Sequence, residues 1–131
     1  VAFNHHKYGD FTPYVFQSKD KGKSWKAINS NLPKRGSVYA IEEDHVDESL
    51  LFIGTEFGFF FSPNQGENWK QLNSGLPTIA IRDIAIQERE NDLVLGTFGR
   101  GFYVLDDFSS LRFIENEVPS EGAKIYPIRS A

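Results

Sequence analysis

One turn appears twice in this chain at an offset of 44 residues, counted from Ser18 to Ser62. Gly22 matches Gly66, Trp25 matches Trp69, and Leu32-Pro33 matches Leu76-Pro77 at that same offset. A second element is interleaved with the first. Leu51-Phe52-Ile53-Gly54-Thr55 returns as Leu93-Val94-Leu95-Gly96-Thr97, and each copy leads through a glycine-bearing loop into an aromatic run. A repeat of ~40–50 residues made of several short strands buries its apolar faces by stacking copy on copy. The repeat therefore points to an all-β chain of stacked sheets.

The composition agrees. Twelve Phe, five Tyr and two Trp stand beside eleven Gly and six Pro, a mixture that favours short strands and turns. The net charge is −4 and the basic residues form no run, which gives no electrostatic support to a nucleic-acid or anionic-membrane partner. No cysteine is present, so neither disulfides nor thiolate metal sites arise. No stretch approaches the ~20 apolar residues of a membrane span. The chain has no methionine and opens on the strand-like Val1-Ala2-Phe3, so a piece of a longer protein is expected.

Four strands are expected per repeat. The first is Val38 to Glu42, with a copy at Ile81 to Gln87. The second is Leu50 to Gly54, with a copy at Leu93 to Gly96. The third is Phe59 to Ser62, with copies at Tyr14 to Gln17 and Phe102 to Leu105. The fourth is Trp69 to Leu72, with a copy at Trp25 to Ile28. The continuous apolar runs Leu51-Phe52-Ile53 and Phe59-Phe60-Phe61 suit strands covered on both faces.

Ser18-Lys19-Asp20-Lys21-Gly22-Lys23-Ser24-Trp25 resembles the Asp box, Ser-x-Asp-x-Gly-x-Ser/Thr-Trp, also called the BNR repeat. Ser62 to Trp69 is a second copy with Asn64 in the Asp position. The chain to about Asp107 resembles the sortilin-like (Vps10-type) and Asp-box β-propellers of large bacterial exported proteins. That resemblance implies a partial β-propeller of two to three four-stranded antiparallel blades. Residues 1–33 would be a partial blade, 34–77 a complete one and 78–107 a partial one, with 108–131 a tail closing or leaving the propeller. Ser18, Asp20, Gly22, Trp25, Ser62, Asn64, Gly66 and Trp69 are expected to be structural, with Asp and Asn bonding backbone N–H groups two residues on and each Trp buried against its own blade. The implied role is a non-catalytic binding or scaffolding module, extracellular or periplasmic, with a glycan or peptide ligand. The alternative is the closing part of a sialidase-like or xyloglucanase-like glycoside hydrolase whose catalytic residues lie mostly upstream. Partners expected are the remaining blades of the parent chain and, for the piece alone, further copies of itself.

Alternating hairpins put the Asp boxes on one edge of the blades and the remaining loops on the other. The loop edge collects the candidate ligand-binding residues Arg35, Glu56, Phe57, Arg82, Asp83, Phe98 and Arg100, with Asn31 and Asn73 nearby. Gly99-Arg100-Gly101 reads more simply as a tight turn whose Arg pairs with a carboxylate. His5 and His6 near Asp10 read as a solvated loop, because adjacent side chains on an extended segment point apart. No catalytic constellation, metal site or cofactor is expected.

Overall fold

The computed structural model describes residues 1–114. Among these residues the chain is all-β apart from short 3-10 segments, with ten strands in three antiparallel sheets. Sheet 1 holds β1 (Ala2–His5), β2 (Asp10–Gln17) and β3 (Lys26–Ala27), in that order. Sheet 2 holds β4 (Val38–Glu43), β5 (Leu51–Thr55), β6 (Gly58–Ser62) and β7 (Lys70–Gln71). Sheet 3 holds β8 (Ile81–Gln87), β9 (Asp92–Thr97) and β10 (Phe102–Leu105). Among the described residues no helix is long and apolar enough to cross a membrane. The expected tail lies outside the described residues from 115 onward.

The middle sheet is sandwiched. Every residue of β5 and β6 is buried, because side chains alternate between faces and each face meets a neighbouring sheet. Val38, Leu51, Ile53, Phe60 and Trp69 face sheet 1 and pack on Val15, Ile28 and Leu32. Leu50, Phe52, Phe59 and Phe61 face sheet 3 and pack on Ile81, Ile84, Leu93 and Leu95. Gly54 is required there by space, since a Cβ would lie 2.8 Å from the Ile81 carbonyl oxygen.

Beyond β10, a 3-10 helix at Phe108–Phe113 folds back onto the second seam. Its Phe108 and Leu111 are buried in the same cluster as Phe52 and Phe61. Arg112 grips the buried Asp44 of sheet 2 through two hydrogen bonds, Nε to Oδ2 at 2.5 Å and Nη2 to Oδ1 at 2.9 Å. It also donates to Asn91 Oδ1 of sheet 3 at 2.7 Å. Burial pushes the Asp44 carboxyl up, but the Arg112 guanidinium together with the backbone N–H groups of Val46 and Asp47 leaves it below its ordinary value.

Two expectations need correction. The fourth strands are short, Lys26–Ala27 and Lys70–Gln71, because the flanking Trp residues leave the ladder. The two Trp residues also differ: Trp69 is 4% exposed and Trp25 is 51% exposed. Trp25 lies half-covered beside Phe3, Phe16 and Gly22 of its own sheet and turn, whereas Trp69 does not pack within its own sheet. Trp69 crosses to sheet 1, where its indole N–H donates to the Ile28 carbonyl at 2.6 Å. Its backbone N–H donates to Asn31 Oδ1 at 2.7 Å, and Asn31 Nδ2 donates to the Trp69 carbonyl at 2.9 Å. No sheet within the described residues lies on the corresponding side of Trp25, so its ring faces solvent.

Truncating a buried Trp costs ~3–5 kcal/mol. Trp69→Ala is therefore expected to lower the unfolding free energy by about that amount in a urea titration. Trp25→Ala, at a half-exposed site, is expected to cost less than about 1 kcal/mol. Equal losses would contradict the asymmetry of the two rings.

Candidate functional site

The Asp-box turns are built alike. Consecutive residues take left-handed backbone at Lys21 (φ 59°) and Gly22 (φ 85°), and again at Gln65 (φ 56°) and Gly66 (φ 82°). The Ser18 and Ser62 hydroxyls accept from the Gly22 and Gly66 backbone N–H at 2.7 and 2.8 Å. Asp20 Oδ1 accepts from Ser24 N at 2.8 Å and Asn64 Oδ1 from Asn68 N at 2.9 Å. The Asp or Asn thus reaches four residues on rather than two, because Ser occupies the nearer donor. Asn68 loses only the hydroxyl bond that Ser24 makes to Asp20 Oδ2 at 2.6 Å. All of these bonds serve the turn itself, which suits a structural part.

The opposite edge is shaped by paired irregularities. In sheet 2, Val38 pairs with Thr55 and Ala40 with Gly54, leaving Tyr39 as an extra residue. In sheet 3, Ile81 pairs with Thr97 and Asp83 with Gly96, leaving Arg82 in the equivalent place. A bulge re-aims the side chain of the residue it inserts. These two bulges bring their side chains together, with the Arg82 guanidinium 3.9 Å from the Tyr39 ring centroid. Phe98 lies 5.2 Å from the same guanidinium, so rings from sheets 2 and 3 flank one cation. Backbone bonds hold the frame: Glu56 N–H donates to Ser37 O at 3.0 Å, and Phe98 N–H to Ala80 O at 2.9 Å.

The other candidates are placed as follows. Arg35 lies 4.9 Å from the Phe11 ring centroid. Phe57 covers Gly36, where a Cβ would stand 3.2 Å from its ring. Glu56 is half-buried beside it. Asp83 Oδ1 accepts its neighbour's N–H, from Ile84, at 3.0 Å. Burial, and then the charge of Asp83, raises the Glu42 carboxyl above its ordinary value. Arg100 sits in a turn between Gly99 (φ 86°) and Gly101 (φ 70°), where Thr97 donates to the Gly101 carbonyl from both N–H and Oγ1. Among the described residues the carboxylate expected for Arg100 is not there. Among the described residues, none of Arg35, Arg82 and Arg100 makes an ion pair. The structure thus joins Arg82 with Phe98, while Arg35 and Phe57 sit at separate points of the edge.

Tyr39 and Phe11 are parts of this edge that the sequence reading missed. Tyr39 sits in a regular alternating strand by pattern, and the bulge that turns it outward leaves no mark in composition. Asn31 is corrected in the other direction, because its amide is spent on Trp69 and belongs to the seam. Asn4 Oδ1 accepts from His6 Nδ1 at 2.6 Å, and His5 approaches Asp10 only to 4.0 Å. Asp10 instead accepts from Tyr14 Oη at 2.6 Å and Thr12 N at 3.0 Å, bonds that bring its carboxyl down to about 2. Among the described residues no three His, Cys, Asp or Glu side chains group to hold a metal ion.

Comparison with protein-family models, curated proteins and solved structures finds no match to this chain.

The two boxes should respond differently to acid. Bonds from Ser24 bring the Asp20 carboxyl from an ordinary 3.8 down to about 2. A folded value below the unfolded one stabilises above pH ~4 and the benefit disappears as pH falls through about 2. Backbone N–H shifts of Ser24, followed by NMR, are expected to move over that window, while those of Asn68 stay still. Asp20→Asn should abolish the Ser24 movement.

Proposed function

We propose that the chain is a non-catalytic binding module, part of a larger Asp-box β-propeller of an exported bacterial protein, and that it takes a glycan or peptide carrying negative charge at the edge opposite the Asp boxes. The observation that carries this reading is Arg82, exposed on a bulge, flanked by the Tyr39 and Phe98 rings and without an ion-paired carboxylate among the described residues. Rings against the flat face of a guanidinium fix its plane and leave the N–H groups at its rim to a ligand carboxylate. Phe98 and Phe57, both exposed, add apolar surface of the kind a sugar ring or an aromatic side chain covers. The propeller reading draws its support from the repeat and from three antiparallel sheets stacked face to face. The extracellular or periplasmic setting follows from the family resemblance alone.

One observation favours the glycoside-hydrolase reading. Glu42 is held above its ordinary value by burial and by the charge of Asp83, which is the pattern of an acid beside a carboxylate.

A glycan and peptide array separates the two. Binding of an anionic ligand is expected, and Arg82→Ala should weaken it on the order of 10- to 100-fold, the worth of a hydrogen bond to a charged group. The melting temperature should stay nearly unchanged, as at other exposed sites. Turnover of chromogenic glycosides that is lost in Glu42→Gln would overturn the binding-module reading in favour of the enzyme.

A further inference from the structure

We infer that the seam between sheets 2 and 3 holds a binding cleft for one aromatic ring, the indole of a tryptophan side chain borne on a peptide. The inference rests on the packing of the two seams and does not depend on what the Arg82 edge binds. The cleft, of about 130 Å³, opens between Leu72 and Leu76 on one wall and Leu95, Tyr103 and Leu105 on the other. An apolar cavity of ~150 Å³ takes one benzene ring, whereas drug-sized ligands need ~300 Å³ or more. A space of this size admits a single ring.

The strand pairings show which ring the walls suit. In sheet 1, Phe16 pairs with Ala27, and the Ile28 N–H donates to the Val15 carbonyl at 2.9 Å. In sheet 2, Phe60 pairs with Gln71, and the Leu72 N–H donates to the Phe59 carbonyl at 3.1 Å. Leu72 therefore repeats Ile28, and Leu76 repeats Leu32. The facing wall repeats as well. Ile53 pairs with Ile41 and Phe60 in sheet 2, as Leu95 pairs with Ile84 and Tyr103 in sheet 3. In the first seam Ile28, Leu32, Ile53 and Phe60 form one cluster with Trp69, whose indole N–H donates to the Ile28 carbonyl at 2.6 Å. The second seam has both walls, and its Leu72 carbonyl holds the ladder position of the Ile28 carbonyl.

The described residues beyond β10 do not bring a ring to this place. The chain runs on through the 3-10 helix, and none of residues 106–114 lines the cleft. Phe113, 44 positions after Trp69, is half-exposed elsewhere. The chemistry of the walls selects the occupant. Every lining side chain is uncharged, so nothing there balances the ammonium and carboxylate of a free amino acid. Within a peptide both groups are neutral amides. Indole also brings the N–H donor that the Leu72 carbonyl can accept, which a phenyl ring lacks. Gly75 takes the place of Asn31, so the backbone clasp of the first seam is missing and the ring is held reversibly.

The test uses the 131-residue protein with isotope-labelled leucine methyl groups and N-acetyl-tryptophanamide as the probe. Titration should shift the methyl resonances of Leu72, Leu76, Leu95 and Leu105, with nuclear Overhauser contacts from them to the indole ring. The probe methylated at the indole nitrogen cannot donate and should bind on the order of 10-fold more weakly. Free tryptophan should also bind more weakly than the probe. Leu105→Trp, which supplies a ring from β10, should abolish the titration while the resonances of sheet 1 stay in place. Leu76→Phe fills the cleft from the other wall if Leu105→Trp disturbs the fold. Methyl resonances that stay still up to the solubility limit of the probe would overturn the proposal, as would equal binding of the methylated probe or of free tryptophan. Contacts to these methyls from Tyr126, or from Trp25 of another copy, in the protein without probe would also overturn it, because the chain would then supply its own ring.

Discussion

The Trp69 junction is what holds the first sheet to the rest of the structure. Sheet 1 has three strands, one of them two residues long, and a sheet of that size with one open face is marginal in water. Among the described residues its apolar side, Val15, Ile28 and Leu32, is covered by sheet 2 alone. Trp69 supplies much of that cover and also satisfies a carbonyl that burial would strand, since its indole N–H meets Ile28 O. Asn31 then treats the Trp69 backbone as a sheet neighbour would, with one donor and one acceptor. Gly66 completes the fit: a Cβ there would lie 2.7 Å from the Ile28 side chain, so the turn glycine answers to packing as well as to its positive φ. Order in the first thirty residues is thus borrowed from the second repeat.

The second junction reaches the same end by other means. Where the repeat would bring in an Asp-box Trp from sheet 3, the chain leaves the ladder at Leu105 and turns into a 3-10 helix capped by Asp107, whose carboxylate accepts from Ser109. Phe108 and Leu111 fill the seam, and Arg112 ties Asp44 of one sheet to Asn91 of the next. A buried ion pair contributes little beyond the desolvation it must offset, yet losing one partner costs ~3–5 kcal/mol because the other charge stays buried alone. Asp44 is shielded further by the N–H groups of Val46 and Asp47, which makes it an anchor that tolerates no vacancy. The polar tie fixes how the sheets sit, while the rings supply the cohesion.

Strand existence was legible in the sequence because it rests on short-range alternation and repetition. Ile81–Gln87 and Phe102–Leu105 run as the pattern predicts, and the continuous apolar runs of β5 and β6 do mark strands covered on both faces. What escaped the sequence is everything fixed by a neighbouring sheet. Trp25 and Trp69 read identically, and only the presence of a receiving surface tells them apart. Asn31 reads as a loop residue because the groups it bonds are 38 positions away. Tyr39 reads as a core strand residue because a bulge is a matter of register against the partner strand, and no local composition encodes it. Of the candidate edge, Phe98 and Arg82 are exposed as expected, Phe98 through its loop and Arg82 through its bulge. The cluster that joins them was not legible, because it is made by two bulges meeting across sheets.

The repeat also loses fidelity where its physical reason ends. Asn29-Ser30-Asn31-Leu32-Pro33 and Asn73-Ser74-Gly75-Leu76-Pro77 differ at one residue, Asn31 against Gly75. Asn31 is held by the Trp69 backbone of the following sheet, whereas a Cβ at Gly75 would meet nothing within 4 Å. Beside Gly75 lies a cleft of about 130 Å³ between Leu72, Leu76, Leu95 and Tyr103, in the place that the Trp69 ring fills one repeat earlier. The Asp-box sequence is absent after β10, and the residue that would clasp its Trp is absent from the loop before it. Donor and acceptor have gone together, since an Asn amide facing that cleft without the backbone it serves would gain nothing over glycine. The glycine uses its freedom instead, taking φ 73° to turn the chain from sheet 2 toward sheet 3. Matched loss on the two sides of a junction is what packing demands of a repeat, and it identifies the Asn–Trp clasp as one interaction carried by two distant motifs.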